Sequence, residues 1–312
     1  MVAALQGVHK VVTEVEPIAS ARTGRPLVGV ALVVGATFLF ALGDTVAKLL
    51  VADHPVAVVQ AGRYLVNLVL LAALLGPRHG RRLWRTERTG LVVLRALLLA
   101  AASLTMGLAL QRMPVGETVA IIYLAPFLVM LLAGPLLGER VGGTSWIAAM
   151  LAFGGVLLVV RPGTGLDTLG VMFALVNAGF GAGYHLLTRV LARTETMMSM
   201  LFHVALTGSV VFAVMAAPDL PALTLTAVEW GLVALLGVLA TAGHFLFTAA
   251  YREAQASYLA PVNYLHIVWA TALGWAVFAH APDGVTLAGI ALVLVAGTAA
   301  ALLPRRATKA AA

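Results

Sequence analysis

Residues 116–163 read GETVAIIYLAPFLVMLLAGPLLGERVGGTSWIAAMLAFGGVLLVVRPG. Two apolar runs flank one short turn, which carries the charges Glu139 and Arg140. A bilayer core of ~30 Å takes roughly 20 apolar residues per helix, and unpaired backbone polar groups cannot sit in hydrocarbon. The stretch therefore predicts two spanning helices, 114–137 and 143–161, joined by a charged turn. Working outward gives further runs at 27–51, 56–76, 90–110, 167–190, 197–216, 227–250, 256–279 and 284–303. Breakers such as Asp53-His54-Pro55, Gly76-Pro77, Pro218-Asp219 and Pro282-Asp283-Gly284 separate them. The expectation is an all-α membrane protein with ten transmembrane helices.

Composition agrees. The chain is 61 % hydrophobic and 11 % charged, whereas a soluble domain carries about 45–50 % apolar and ~25 % charged residues. There is no cysteine, which excludes disulfides and thiolate chemistry. The net charge of +7 is placed by topology. Lys10, Arg22 and Arg25 lie in the first tail, and Arg78, Arg81, Arg82, Arg85 and Arg88 in the second connector. Arg140, Arg189, Arg193 and Arg252 fall in later even connectors, and Arg305, Arg306 and Lys309 in the last tail. The odd connectors hold only Arg112 and Arg161. The positive-inside rule then puts both termini in the cytoplasm, and a nucleic-acid partner is not expected. Residues 1–26 read as a retained cytoplasmic tail, since Lys10, Glu14 and Glu16 interrupt any signal-peptide core.

Tyr-Leu-Ala-Pro occurs at 123–126 and again at 258–261, each time in the next-to-last helix of a five-helix half. Five is odd, so the second half enters from the opposite face. Inverted repeats of this kind place a substrate site near the midplane, between the halves. The halves are 27–162 and 167–304, with a second cytoplasmic tail at 305–312.

These residues resemble a known family. The 116–163 stretch is similar to the signature of the drug/metabolite transporter superfamily, EamA branch, through its central Pro126, its Leu-Gly-Glu-Arg turn at 137–140 and its Arg-Pro-Gly end. Residues 243–283, GHFLFTAAYREAQASYLAPVNYLHIVWATALGWAVFAHAPD, resemble the branch's second repeat. The resemblance spans residues 27 to about 305. It implies two inverted five-helix EamA-type repeats in a bacterial inner membrane, and transport of small organic metabolites without ATP hydrolysis. One departure stands out: His280 occupies the place where the second repeat usually carries Glu.

Ionisable residues within spans are costly and point to function. Asp44 and Lys48 are four apart and share a helix face. Arg63 lies near the middle of the second span. The three would form a cationic cluster for a carboxylate; the plainer reading is a structural Asp44–Arg63 pair with Lys48 snorkelling outward. Arg95 is expected to snorkel to headgroups, and Glu117 to form a rim salt bridge with Arg112. Glu139 and Arg140 suggest capping or gating.

Polar and aromatic residues concentrate in the second half. Asn177, Gly181 and His185 share a face with Tyr184 alongside; Thr241, His244, Thr248 and Tyr251 share another. Tyr258, Asn263, Tyr264, His266 and Trp269 surround Pro261. A cavity lined by Tyr123, Tyr184, His244, Asn263, Tyr264 and Trp269 would suit a small organic ligand; hydrogen bonding between helices is the competing reading. Pro126 and Pro261 are expected to kink their helices. His203 reads as structural. Gly154, Gly155, Gly181, Gly183, Gly289 and Gly297 permit close helix approach.

No histidine pair has metal spacing, and no cofactor is expected. The sequence contains no GxxxxGK[ST] loop and no set of residues typical of an intramembrane enzyme. The reading is a secondary carrier of a small metabolite, such as an amino acid or related amphipathic solute. A channel-like or structural subunit is the alternative. The bilayer and the solute are the expected partners, and a homodimer is compatible with this reading.

Overall fold

A computed structural model describes residues 25–137, 143–160, 166–192, 194–254, 259 and 262–302. Eleven α-helices are described: α1 (Pro26–Asp53), α2 (Val56–His79), α3 (Thr89–Arg112), α4 (Val115–Ile122), α5 (Ala125–Leu137), α6 (Gly143–Val160), α7 (Thr168–Leu191), α8 (Met197–Ala216), α9 (Ala227–Glu253), α10 (Leu265–Phe278) and α11 (Gly284–Leu302). No strand occurs among the described residues. Six of the helices (α1–α3 and α7–α9) are long and apolar enough to cross a membrane, and the other apolar helices are shorter.

Local chemistry sets the boundaries. Pro26 opens α1, where a missing N–H costs nothing. Side chains of Asp167, Thr196 and Thr226 cap α7, α8 and α9, the last with Glu229 in a capping box. The predicted fourth span is broken. The chain turns at Tyr123-Leu124 and restarts as α5, so Pro126 occupies the second position of a new helix. The expected proline kink is therefore a break three residues earlier. Placed there, Pro126 disrupts no established helical ladder. Pro261, Glu139 and Arg140 lie outside the described residues.

The surface is apolar and the interior small. Ile147, Met150, Val214, Val238 and Val295 face outward, while Ala36, Ala41, Ala152, Ala174, Ala178 and Ala296 are fully buried. Trp84, Trp146, Trp230 and Trp275 are more than half exposed and lie near helix ends, as in the aromatic belts of membrane proteins. Small buried residues suit helices that associate by close packing, because lipid offers no hydrophobic drive between them.

The helices pair reciprocally across the two halves. The first helix of each half packs on the third of the other (α1 on α9, α7 on α3). The second helices meet each other (α2 on α8), as do the fourth (α4 on α10) and the fifth (α6 on α11). This is the pattern of a two-fold relation, in which i meets j and j meets i. Backbones meet directly where α6 crosses α11: a Cβ on Gly155 would lie 2.7 Å from the Gly289 carbonyl oxygen, and a Cβ on Gly289 equally close to that of Gly155.

We call the end where α1 starts the near end and the end where it finishes the far end. Three polar contacts join the halves at the far end: His54 Nε2 to Glu229 Oε1 at 2.7 Å, Arg112 Nη1 to Asp167 Oδ2 at 3.4 Å, and His280 Nε2 to Glu117 Oε1 at 3.0 Å. The expected Glu117–Arg112 bridge is thus replaced by two others, because each partner finds an opposite group on the other half. At the near end, Glu195 accepts hydrogen bonds from the backbone N–H groups of Glu87 and Arg88 at 2.9 and 2.7 Å.

Candidate functional site

The expected Asp44–Lys48–Arg63 cluster does not form. Asp44 Oδ2 lies 3.0 Å from Nε2 of His266 on α10. Lys48 donates to the carbonyl oxygens of Leu110 and Met113 at 2.7 and 2.8 Å, closing the end of α3 instead of snorkelling. Arg63 Nη1 donates to Gln60 Oε1 at 3.1 Å, with its guanidinium 5.2 Å from the Tyr64 ring. The physical reason is local. The guanidinium finds a neutral acceptor within a turn and the ammonium finds two at the end of α3, and the carboxylate takes the imidazole from the opposite half.

Around the Asp44–His266 pair the two halves build an aromatic cluster. Phe40, one turn before Asp44 on α1, lies 5.1 Å from the His244 ring and 6.2 Å from the His266 ring. Tyr123, at the α4–α5 break, lies 5.2 Å from Tyr264 and 5.8 Å from His266. Its hydroxyl donates to the Asn263 carbonyl at 2.7 Å. The helix break and the Tyr264 turn before α10 thus face one another. Gly297 on α11 makes room for the Tyr264 ring; a Cβ there would overlap it. Trp269, one turn beyond His266, meets Phe38 edge-on at 5.6 Å, and its Nε1 has no partner among the described residues.

A second polar region lies toward the near end. Arg95, expected at the headgroups, is instead 1 % exposed within the bundle. Its Nε donates to Thr188 Oγ1 and its Nη2 to Tyr184 Oη, both at 2.6 Å, and its Nη1 reaches the Met200 carbonyl at 3.3 Å. The guanidinium also stands 4.2 Å over the Tyr184 ring. Tyr184, Asn67, Thr241 and His244 then line a cavity of about 10 Å³, room for one water molecule. This cavity is far smaller than the solute-sized hollow expected from the sequence. A larger hollow of about 250 Å³ opens at the far end between Lys48, Gln111, Phe278 and His280.

His244 belongs to both regions, touching Phe40 on one side and lining the small cavity on the other. Of the predicted site residues, Asp44, Tyr123, His244, Asn263 and Tyr264 come together. Tyr184 sits in the second region and Trp269 at the edge of the first, while Arg63 bonds Gln60 and stands over Tyr64 on its own helix. Phe40 and Asn67 were not anticipated. Phe40 was readable from its i, i+4 relation to Asp44; Asn67 carried no such signal. Other polar residues serve packing: Asn177 donates to the Ala102 carbonyl at 2.5 Å, Thr241 and Thr248 bond back to their own helix, and His203 bonds the Ser199 carbonyl. No cluster of metal-ligating residues occurs among those described.

An apolar helical bundle made of two like halves, with polar groups gathered at their interface, is the architecture of a polytopic membrane protein. The sequence pattern of the EamA-like transporter family matches the chain twice, over residues 27–161 and 168–301, and the chain belongs to that family. A riboflavin transporter of Brucella anthropi is 30 % identical over 77 % of this chain and 86 % of its own. A pseudopaline exporter of Pseudomonas aeruginosa is 27 % identical over 86 % of this chain and 94 % of its own. An S-adenosylmethionine uptake transporter of Rickettsia felis is 27 % identical over 70 % of this chain and 74 % of its own. A solved crystal structure superposes with a TM-score of 0.63 at 21 % identity, covering 90 % of this chain and 97 % of that one, which supports the fold.

Proposed function

We propose that this protein is a secondary-active carrier of a small organic metabolite, with ten spans arranged as two inverted five-helix halves that rock about a site between them. Both termini face the cytoplasm, and the near end is the cytoplasmic end. The observation that carries this reading is the Asp44–His266 pair within its aromatic surround, because every side of it comes from a different half: Phe40, Asp44 and Tyr123 from the first, His244, Tyr264 and His266 from the second. A solute held there contacts both moving bodies, which alternating access requires. Rings flanking a carboxylate and imidazoles suit an amphipathic metabolite with a planar or apolar portion. Amino acids remain one class of such solutes. The names of the relatives add riboflavin, S-adenosylmethionine and pseudopaline as compounds to test.

Counterflow in proteoliposomes checks the proposal. Vesicles preloaded with riboflavin, S-adenosylmethionine or aromatic amino acids are given trace labelled solute outside. Saturable exchange stimulated by the preloaded solute supports the carrier. Non-saturable flux would favour the channel reading.

A further inference from the structure

The near-end region holds a buried cation with no counter-charge. Arg95 is 1 % exposed, and its acceptors are a threonine hydroxyl, a tyrosine hydroxyl and a backbone carbonyl, all neutral. No carboxylate lies within ion-pair distance of it among the described residues. An ion in a low-dielectric interior is strongly disfavoured unless paired, and ionisable groups in spans ordinarily pair with one another or mark a solute path. Tyr184 uses its hydroxyl oxygen to accept from Arg95, which leaves its own O–H to donate elsewhere. Tyr184 faces the cavity, and so does Asn67, which is 7 % exposed and whose Oδ1 has no hydrogen-bond partner among the described residues. A second guanidinium, Arg63, stands one turn from Asn67 on α2, also without a carboxylate among its described contacts. Thr241 and His244 add to the polar side of the wall, apolar residues such as Leu99 and Val204 form the rest, and Arg95 stands behind Tyr184; His244 also touches Phe40 of the aromatic cluster.

We propose that the Arg95–Tyr184–Asn67 group is the anchor for an oxyanion, carboxylate or phosphate, carried by the transported solute. The inference rests on the carrier reading and adds the solute's charge class to it. The ring portion of the solute packs against Phe40, Tyr123 and Tyr264, and its anionic end passes His244 to reach Tyr184. In the present conformation the cavity admits one water molecule, so the anchor fills when the halves part. Each terminal nitrogen of Arg95 keeps a second N–H beyond those given to Tyr184 and Met200, and guanidinium N–H groups are well matched to an oxyanion. Thr188, which orients Arg95 through Nε, is a positioning residue.

Binding to the full chain in lipid nanodiscs, measured by calorimetry, tests this with two matched pairs. Riboflavin 5′-phosphate against riboflavin isolates the phosphate; tryptophan against tryptophanamide isolates the carboxylate. In at least one pair the anion is expected to bind tenfold or more tightly than its neutralised partner. Arg95→Gln is expected to erase that difference, and Arg95→Lys to restore part of it. Tyr184→Phe, which keeps the ring under the guanidinium, is expected to weaken the anion several-fold, and its melting curve checks folding independently of Arg95. Equal affinity within both pairs, no binding of either anion, or a preference that survives Arg95→Gln would overturn the proposal. Absent saturable exchange with Arg95-dependent anion binding intact would remove the carrier and leave the anchor; the reverse would remove the anchor alone.

Discussion

Asp44 and His266 are separated by most of the chain and meet at 3.0 Å inside the bundle. Both side chains are only partly buried, so removing one member costs chiefly their hydrogen bond, about 1.5–3 kcal/mol where one group is charged. Asp44→Asn and His266→Gln are each expected to lower counterflow at least tenfold, about 1.4 kcal/mol or more in the transport step. The double variant should lose little beyond either single one, since one contact is shared. Lys48 behaves differently. Its two hydrogen bonds hold the end of α3, so Lys48→Met should reduce thermal stability by about 1–3 kcal/mol while leaving solute affinity near wild type. A fall in affinity with unchanged stability would return Lys48 to the site. The sequence singled out both residues because both are ionic within a span; charge alone could not distinguish a solute contact from a helix cap. Arg95 was misread for a related reason. Its distance from the helix end allowed either snorkelling or burial, and acceptors supplied by α7 and α8 decided for burial.

At the scale of elements, the α4–α5 break does what a kink was expected to do. It turns the chain at Tyr123 and aims that ring at Tyr264 and His266. Pro126 sits at the start of α5, where proline is tolerated. Pro126→Ala is therefore expected to change stability by less than ~1 kcal/mol, against the ~3 kcal/mol typical of a helix-interior proline. Tyr123→Ala should impair transport far more than it impairs folding; equal effects on both would make the break merely structural. The six long helices were readable to within a few residues from hydropathy and breakers, as the match of the eighth helix, Met197–Ala216, illustrates. The break itself was hidden because apolar residues run through it without a pause. The Phe40–His244 and Tyr123–Tyr264 contacts depend on how distant helices are rotated, which no local pattern encodes.

At the scale of the molecule, the repeated Tyr-Leu-Ala-Pro pointed to duplication, and the family match over 27–161 and 168–301 bears this out. What the repeat did not reveal is the exchange of first and third helices between halves, which brings α9 against α1 and α7 against α3. That exchange places His244 beside Phe40 and Tyr184 beside Arg95. The crossing of Gly155 and Gly289 has a consequence of its own. Each backbone is the floor on which the other rests, so a methyl-bearing intruder on either side meets the same obstacle. Gly155→Val and Gly289→Val should depress melting temperature to a like degree, by about 1–3 kcal/mol of overpacking each, as scanning calorimetry of the purified variants would show. A gene that wrote this crossing twice supplies its own control experiment: matched injuries mean the twins still share the load evenly, and lopsided ones mean that one has become the anvil and the other the hammer.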